Sequence, residues 1–198
     1  MKKSFALLAG IMLLLLLAAC NAHAQYANRG VVELGGAISF SSSTMVSNGT
    51  VADKSTTIFQ CMPYVNYFLT DGFSMALVPG INIIKIAGSE SSIKIYGLFL
   101  SPGFTFHAGG KIYPYIAGMV GYTAVKSDAS PNAALGTGEI DLKGVSFGGK
   151  AGIKIGAGNS GLIAIGASYM LINISPKDAD KRSGLNNLAF SLGYSIYF

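Results

Sequence analysis

Bulky apolar residues alternate with small or polar ones up to the last residue of this chain. Leu188, Phe190, Leu192, Tyr194, Ile196 and Phe198 share one face of an extended strand. Asn187, Ala189, Ser191, Gly193, Ser195 and Tyr197 share the other. A period of two is the signature of a β-strand. It recurs in eight segments, roughly 31–42, 56–69, 73–86, 92–107, 111–126, 143–156, 161–174 and 186–198. Each is long enough for a tilted strand to cross a bilayer. The two faces are the reverse of a soluble sheet. Phe59, Cys61, Pro63, Val65, Tyr67 and Leu69 oppose Ile58, Gln60, Met62, Tyr64, Asn66 and Phe68. Val145, Phe147, Ala151, Ile153 and Ile155 oppose Ser146, Gly148, Lys150, Gly152 and Lys154. The bulky face is nearly free of charge, and only 12% of the chain is charged, about half the usual share of a soluble domain. Apolar residues therefore face lipid and small or polar ones face a lumen. In hydrocarbon every backbone N–H and C=O needs a partner, so such strands must close. The expected fold is all-β: a transmembrane eight-stranded antiparallel up-and-down β-barrel.

The connections carry an asymmetry. Thr70-Asp71-Gly72, Ala108-Gly109-Gly110 and Ala157-Gly158-Asn159-Ser160 are short turns after the second, fourth and sixth segments. The other connections are more polar and, apart from AGSESS, longer. Tight periplasmic turns and longer external loops give this pattern, and an even strand number puts both termini on the periplasmic side. Pro63, Pro79, Pro102 and Pro114 fall inside the segments, all facing outward. Each removes a ladder donor, which predicts bulges at these positions.

The first residues, MKKSFALLAGIMLLLLLAACNAHAQ, join a positive start to an apolar run too short for a membrane span. They read as an export signal over 1–24, with the barrel over 25–198. Two cleavage readings stand. Ala22-His23-Ala24 fits the A-x-A pattern, and Leu17-Ala18-Ala19-Cys20 fits a lipoprotein site with cleavage before Cys20. Cleavage after Ala24 leaves Cys61 as the single cysteine, with no partner in the chain for a disulfide. Losing Lys2 and Lys3 lowers the formal charge from +5 to +3. No basic run exceeds Lys181-Arg182, so nucleic acid is not an expected partner.

The stretch LAFSLGYSIYF, with its terminal Phe, resembles the closing strand of bacterial outer-membrane barrels. PYVNYFLTDGFSMALVPGIN resembles a hairpin of the small barrels of the outer membrane protein A and opacity-porin type. KIYPYIAGMVGY and VSFGGKAGIKIGAG resemble the fifth and sixth strands. The resemblance implies an outer-membrane location with periplasmic termini, contact with outer-membrane lipid, and recognition of the last strand by the barrel-assembly machinery. Tyr194, Ile196 and Phe198 are the lipid-face residues of that strand. Outer membrane protein A continues into a peptidoglycan-binding domain, whereas this chain ends with the barrel, so that anchoring role is not expected.

Residues able to do chemistry are few. His107 sits beside a periplasmic turn, far from the outer leaflet where a lipid A deacylase would need it, with Ser101 well up the same strand and Asp71 the one nearby acid. Glu139 with Asp141 and Asp178 with Asp180 are pairs that more often solvate a loop than hold a metal. No catalytic residue, metal or cofactor is assigned. Glu33, Lys150 and Lys154 point into the lumen, and a buried charge needs a partner, so Glu33 is expected to pair with Lys154 or Lys150. Tyr64, Phe99, Met119, Met170 and Tyr197 should fill most of the interior. Lys85 and Lys94 face outward near the external ends of their strands, placed to reach lipid headgroups. The expected role is structural or surface-interacting, in a monomer. An unidentified extracellular ligand would meet loops 43–55, 127–142 and 175–185. The alternative is a narrow channel or a barrel that binds a small apolar ligand; a lipid-modifying enzyme is a third reading.

Overall fold

The computed structural model describes residues 25–47, 50–85, 92–107, 110–127, 141–173 and 184–198. The signal reading over 1–24, Glu139, Asp178 and Asp180 lie outside them. Eight strands follow in chain order: β1 (Val32–Ser47), β2 (Thr50–Phe68), β3 (Phe73–Lys85), β4 (Ser92–Thr105), β5 (Ile112–Ser127), β6 (Asp141–Ala157), β7 (Gly161–Asn173) and β8 (Gly184–Tyr197). Each pairs antiparallel with its neighbours, and β8 pairs with β1 to close the barrel. The last residue takes part in the closure. Phe198 N–H donates to Val32 O at 3.0 Å, and Val32 N–H donates to Phe198 O at 2.9 Å.

The two faces follow the alternation. Phe40, Leu98, Ile116, Val145, Ile165, Phe190 and Leu192 are exposed on the outside. Glu33, Gln60, Ser101, Thr123, Ser146 and Ser195 are buried inside. An exterior of this kind is built for hydrocarbon, not water. Among the described residues no helix is long and apolar enough to cross a membrane; the strands do the crossing.

Glycine on the inner face makes room for large side chains. A Cβ on Gly35 would come within 2.8 Å of the Tyr64 ring and 2.5 Å of Ser195. Phe99 lies against Gly97 and Gly121 in the same way. Large rings beside glycine fill a narrow interior without overpacking. In the β2–β3 turn, Gly72 has φ +77°, a conformation that other residues adopt only with strain.

Two expectations change. The first external connection, expected as a loop over 43–55, is mostly strand: pairing continues to Ser47 opposite Thr50. The residues Ser43–Ser47 and Thr50–Ser55 mix Ser and Thr with Met45, Val46, Val51, Ala52, Asp53 and Lys54 and keep no sustained apolar face, so their period of two has no steady hydropathy contrast to reveal it. Likewise 127–142 and 175–185 are trimmed by β5, β6 and β8, which reach Ser127, Asp141 and Gly184. The expected bulges at proline are absent too. Pro63, Pro79, Pro102 and Pro114 keep an unshifted register on one side, opposite Gly36, Leu98, Met75 and Ile153. The β2–β3 ladder instead lapses between Cys61 and Val65 and resumes in the same register, with Pro63 across from Pro79. The β4–β5 ladder lapses likewise beside Pro102. The β1–β2 register does shift between Thr44 and Val46, away from proline.

Candidate functional site

The lumen is built in layers from the periplasmic end. Residues 25–31 precede β1 and turn back across the barrel base. Gly30 N–H donates to Phe68 O at 2.9 Å, Gly72 N–H to Ala27 O at 2.7 Å, and Arg29 N–H to Asp71 Oδ1 at 2.8 Å. These bonds carry Tyr26 into the opening, where it is 1% exposed. Its ring packs edge-on against Phe68 at 5.4 Å and Tyr113 at 4.8 Å, with Tyr197 at 5.1 Å. With Leu162 these rings form an apolar floor.

Above the floor sits a closed polar layer. Lys154 Nζ lies 2.7 Å from Glu33 Oε2 and 2.8 Å from Oε1, and donates to Tyr26 Oη at 2.7 Å. The three ammonium protons thus have three acceptors. Rings of Tyr26, Tyr64 and Tyr115 stand 5.3–5.8 Å from the same nitrogen. Glu33 also accepts from Tyr64 Oη at 2.7 Å, Ser195 Oγ at 2.7 Å, Asn66 Nδ2 at 3.2 Å and Tyr26 Oη at 3.1 Å. Burial first, and then the Glu33 carboxylate, hold the Tyr26 hydroxyl protonated well above the usual phenol range. Its proton therefore stays available for Glu33.

Lys150 stands two inward positions further from the floor on β6, with Gly152 between it and Lys154. Its Nζ faces the Tyr64 ring at 5.6 Å. It opens into a cavity of about 80 Å³ lined by Ser39, Asn66, Ser101, Tyr115 and Lys154, among others. The lid of that cavity is an apolar belt of Val78, Phe99, Met119, Met170 and Ile172, with Met62 packed against it. Toward the external end come Gln60, which accepts from Asn187 Nδ2 at 3.3 Å, and the Thr123–Ser146 hydroxyl pair at 2.8 Å.

The structure therefore brings Glu33 and Lys154 together and leaves Lys150 apart. Tyr194 is exposed on the exterior, while Ile196 and Phe198 are half-buried at the rim. Lys94 is half-buried on β4; Lys85 pairs with Ser92 through the backbone, and its side chain lies outside the described residues. His107 is exposed at the rim with its ring 5.0 Å from Tyr113, whereas Ser101 is buried up the strand and Asp71 holds the Arg29 amide. No Ser/His/acid set is assembled among the described residues, nor any cluster of three metal-ligating side chains. Tyr26 is the residue that the period of two does not reach, because its segment has no alternation. The signal that remained in the sequence was an aromatic just ahead of the first strand.

No family model matches the chain, and no curated protein does so either. Solved structures are similar at the level of fold. Neisserial surface protein A (NspA) is 13% identical, with a TM-score of 0.66 over 86% of this chain and 100% of that one. OprG of Pseudomonas aeruginosa is 18% identical, with a TM-score of 0.52 over 86% of this chain and 97% of that one. Ail, the attachment invasion locus protein of Yersinia pestis, solved with the heparin analogue sucrose octasulfate, is 14% identical, with a TM-score of 0.51 over 86% and 99%. The chain has the fold of the small bacterial outer-membrane barrels, and its apolar exterior suits a bilayer.

Proposed function

We propose that this protein is a closed outer-membrane scaffold whose external hairpins are its contact surface. The observation that carries the reading is the double seal of the lumen. Tyr26, Glu33 and Lys154 close the base, and the Phe99–Met119–Met170 belt closes the middle. A water-filled path has no room between them, because eight strands leave an interior that side chains fill. The cavity between the seals is about 80 Å³ and is lined by apolar and polar side chains together. A dry apolar cavity of about 150 Å³ takes up benzene; this one is about half that size and carries Lys150, Lys154 and Asn66 in its lining, which speaks against a small apolar ligand. The exposed His107, remote from Ser101, speaks against lipid-modifying chemistry.

What projects outward fits a presenting role. β1 and β2 stay paired to Ser47 and Thr50, giving the first external hairpin a stiff stem. The same fold in Ail, solved with a heparin analogue, is an analogy that favours a surface contact without naming one. Tyr194, Ile196 and Phe198 are read as the strand end presented during assembly, Lys85 and Lys94 as headgroup contacts, and the barrel as a monomer. Planar-bilayer recording tests the seal. The wild-type protein should give no stable conductance, and neither should Tyr26→Ala alone, because the Phe99–Met119–Met170 belt still closes the middle; small openings are expected only when Tyr26→Ala is combined with Phe99→Ala. Large steady currents from the wild type would overturn the reading.

A further inference from the structure

We infer that the lumen holds a small inorganic anion of chloride size, bound by Lys150 in the cavity between the two seals. Three charged side chains point inward among the described residues: Glu33, Lys154 and Lys150. Two of them cancel. Glu33 already accepts six hydrogen bonds from five side chains, more than the four or so lone-pair sites of a carboxylate. It has no capacity left for Lys150. Tyr64 stands between them, giving its hydroxyl to Glu33 and its ring face to Lys150. A ring quadrupole offsets part of a cation's desolvation, not a full charge. The enclosed lumen is left with one positive charge too many, in a barrel surrounded by hydrocarbon.

A second observation points into the same cavity. Ser101 is 2% exposed, lines it, and its Oγ has no hydrogen-bond partner. A hydroxyl can donate to an anion. Asn66 Oδ1, also buried against this cavity without a partner, accepts only, and so takes a water beside the anion. About 80 Å³ holds one halide and a few waters, since one water needs roughly 10–15 Å³ on this measure. Water alone satisfies hydrogen bonds but does not cancel the charge. Larger anions such as gluconate do not fit.

The test compares halide with gluconate at equal ionic strength on the full folded barrel in detergent. Thermal unfolding should shift upward with chloride and not with gluconate. Crystals soaked in sodium bromide should show an anomalous peak beside Lys150 Nζ. Lys150 has no ion pair to lose, so Lys150→Met should stay folded by heat-modifiable gel mobility. It should lose halide affinity tenfold or more, the scale of a hydrogen bond to a charged group. Ser101→Ala should weaken binding by roughly twofold to tenfold, as for a neutral donor. A wild-type barrel indifferent to halide in solution sinks the inference, including the case of binding at crystal concentration only. Undiminished halide dependence in Lys150→Met sinks it as well.

Discussion

Replacing Glu33 by Gln separates charge from shape at the centre of the polar layer. The side chain keeps its size, and its remaining oxygen still accepts from Tyr64 and Ser195. The new NH₂ group, placed where Oε2 was, faces three donors: Lys154 Nζ, Tyr26 Oη and Asn66 Nδ2. Lys154 is left as a buried cation without its carboxylate. Breaking a buried pair from one side costs about 3–5 kcal/mol, and Glu33 is 0% exposed, so solvent screening does not soften the loss. Equilibrium urea unfolding in phospholipid vesicles, followed by gel mobility and tyrosine fluorescence, should show a loss in that range. The paired change Glu33→Gln with Lys154→Met removes the stranded cation and should recover at least half of it. A loss below about 1 kcal/mol for the single variant, or a double variant no better than the single, would refute the idea that charge pairing holds the base.

Two other outcomes are expected. Gly152→Ala puts a Cβ against the backbone of Ile165 and Gly166 and within 2.9 Å of the Tyr115 ring; it should cost about 1–3 kcal/mol in the same unfolding assay. A spin label on the native Cys61, which is exposed on the outer face, should be relaxed by oxygen dissolved in lipid and not by an aqueous nickel chelate. The opposite preference would place that face in water.

The outer and inner faces could be read from the sequence because every second residue carries the contrast between apolar and small. The pairing of Glu33 was legible as a need, since a lumen charge requires a partner. Its choice of Lys154 over Lys150 was not, because it depends on barrel closure bringing β6 across from β1. Tyr26 escaped because a plug from outside the strands obeys no period. The stem of the first hairpin escaped because its Ser, Thr, Val and charged residues keep no steady contrast between alternate positions. The prolines misled for a subtler reason. A lost donor was assumed to force an extra residue into the strand, but each missing N–H faces one neighbour only, and the other ladder runs on undisturbed.

Pro63 and Pro79 face each other, so both missing donors fall on the seam between β2 and β3. The β4–β5 junction also lapses beside Pro102, but there the proline stands across from Gly118 and not from a second proline. In mechanical terms the closed sheet is a hoop with one weakest weld, between β2 and β3. Pulled apart by its hairpins with a force probe, it should give first at that weld, shedding β1 with β2 as one unit before the remaining strands yield.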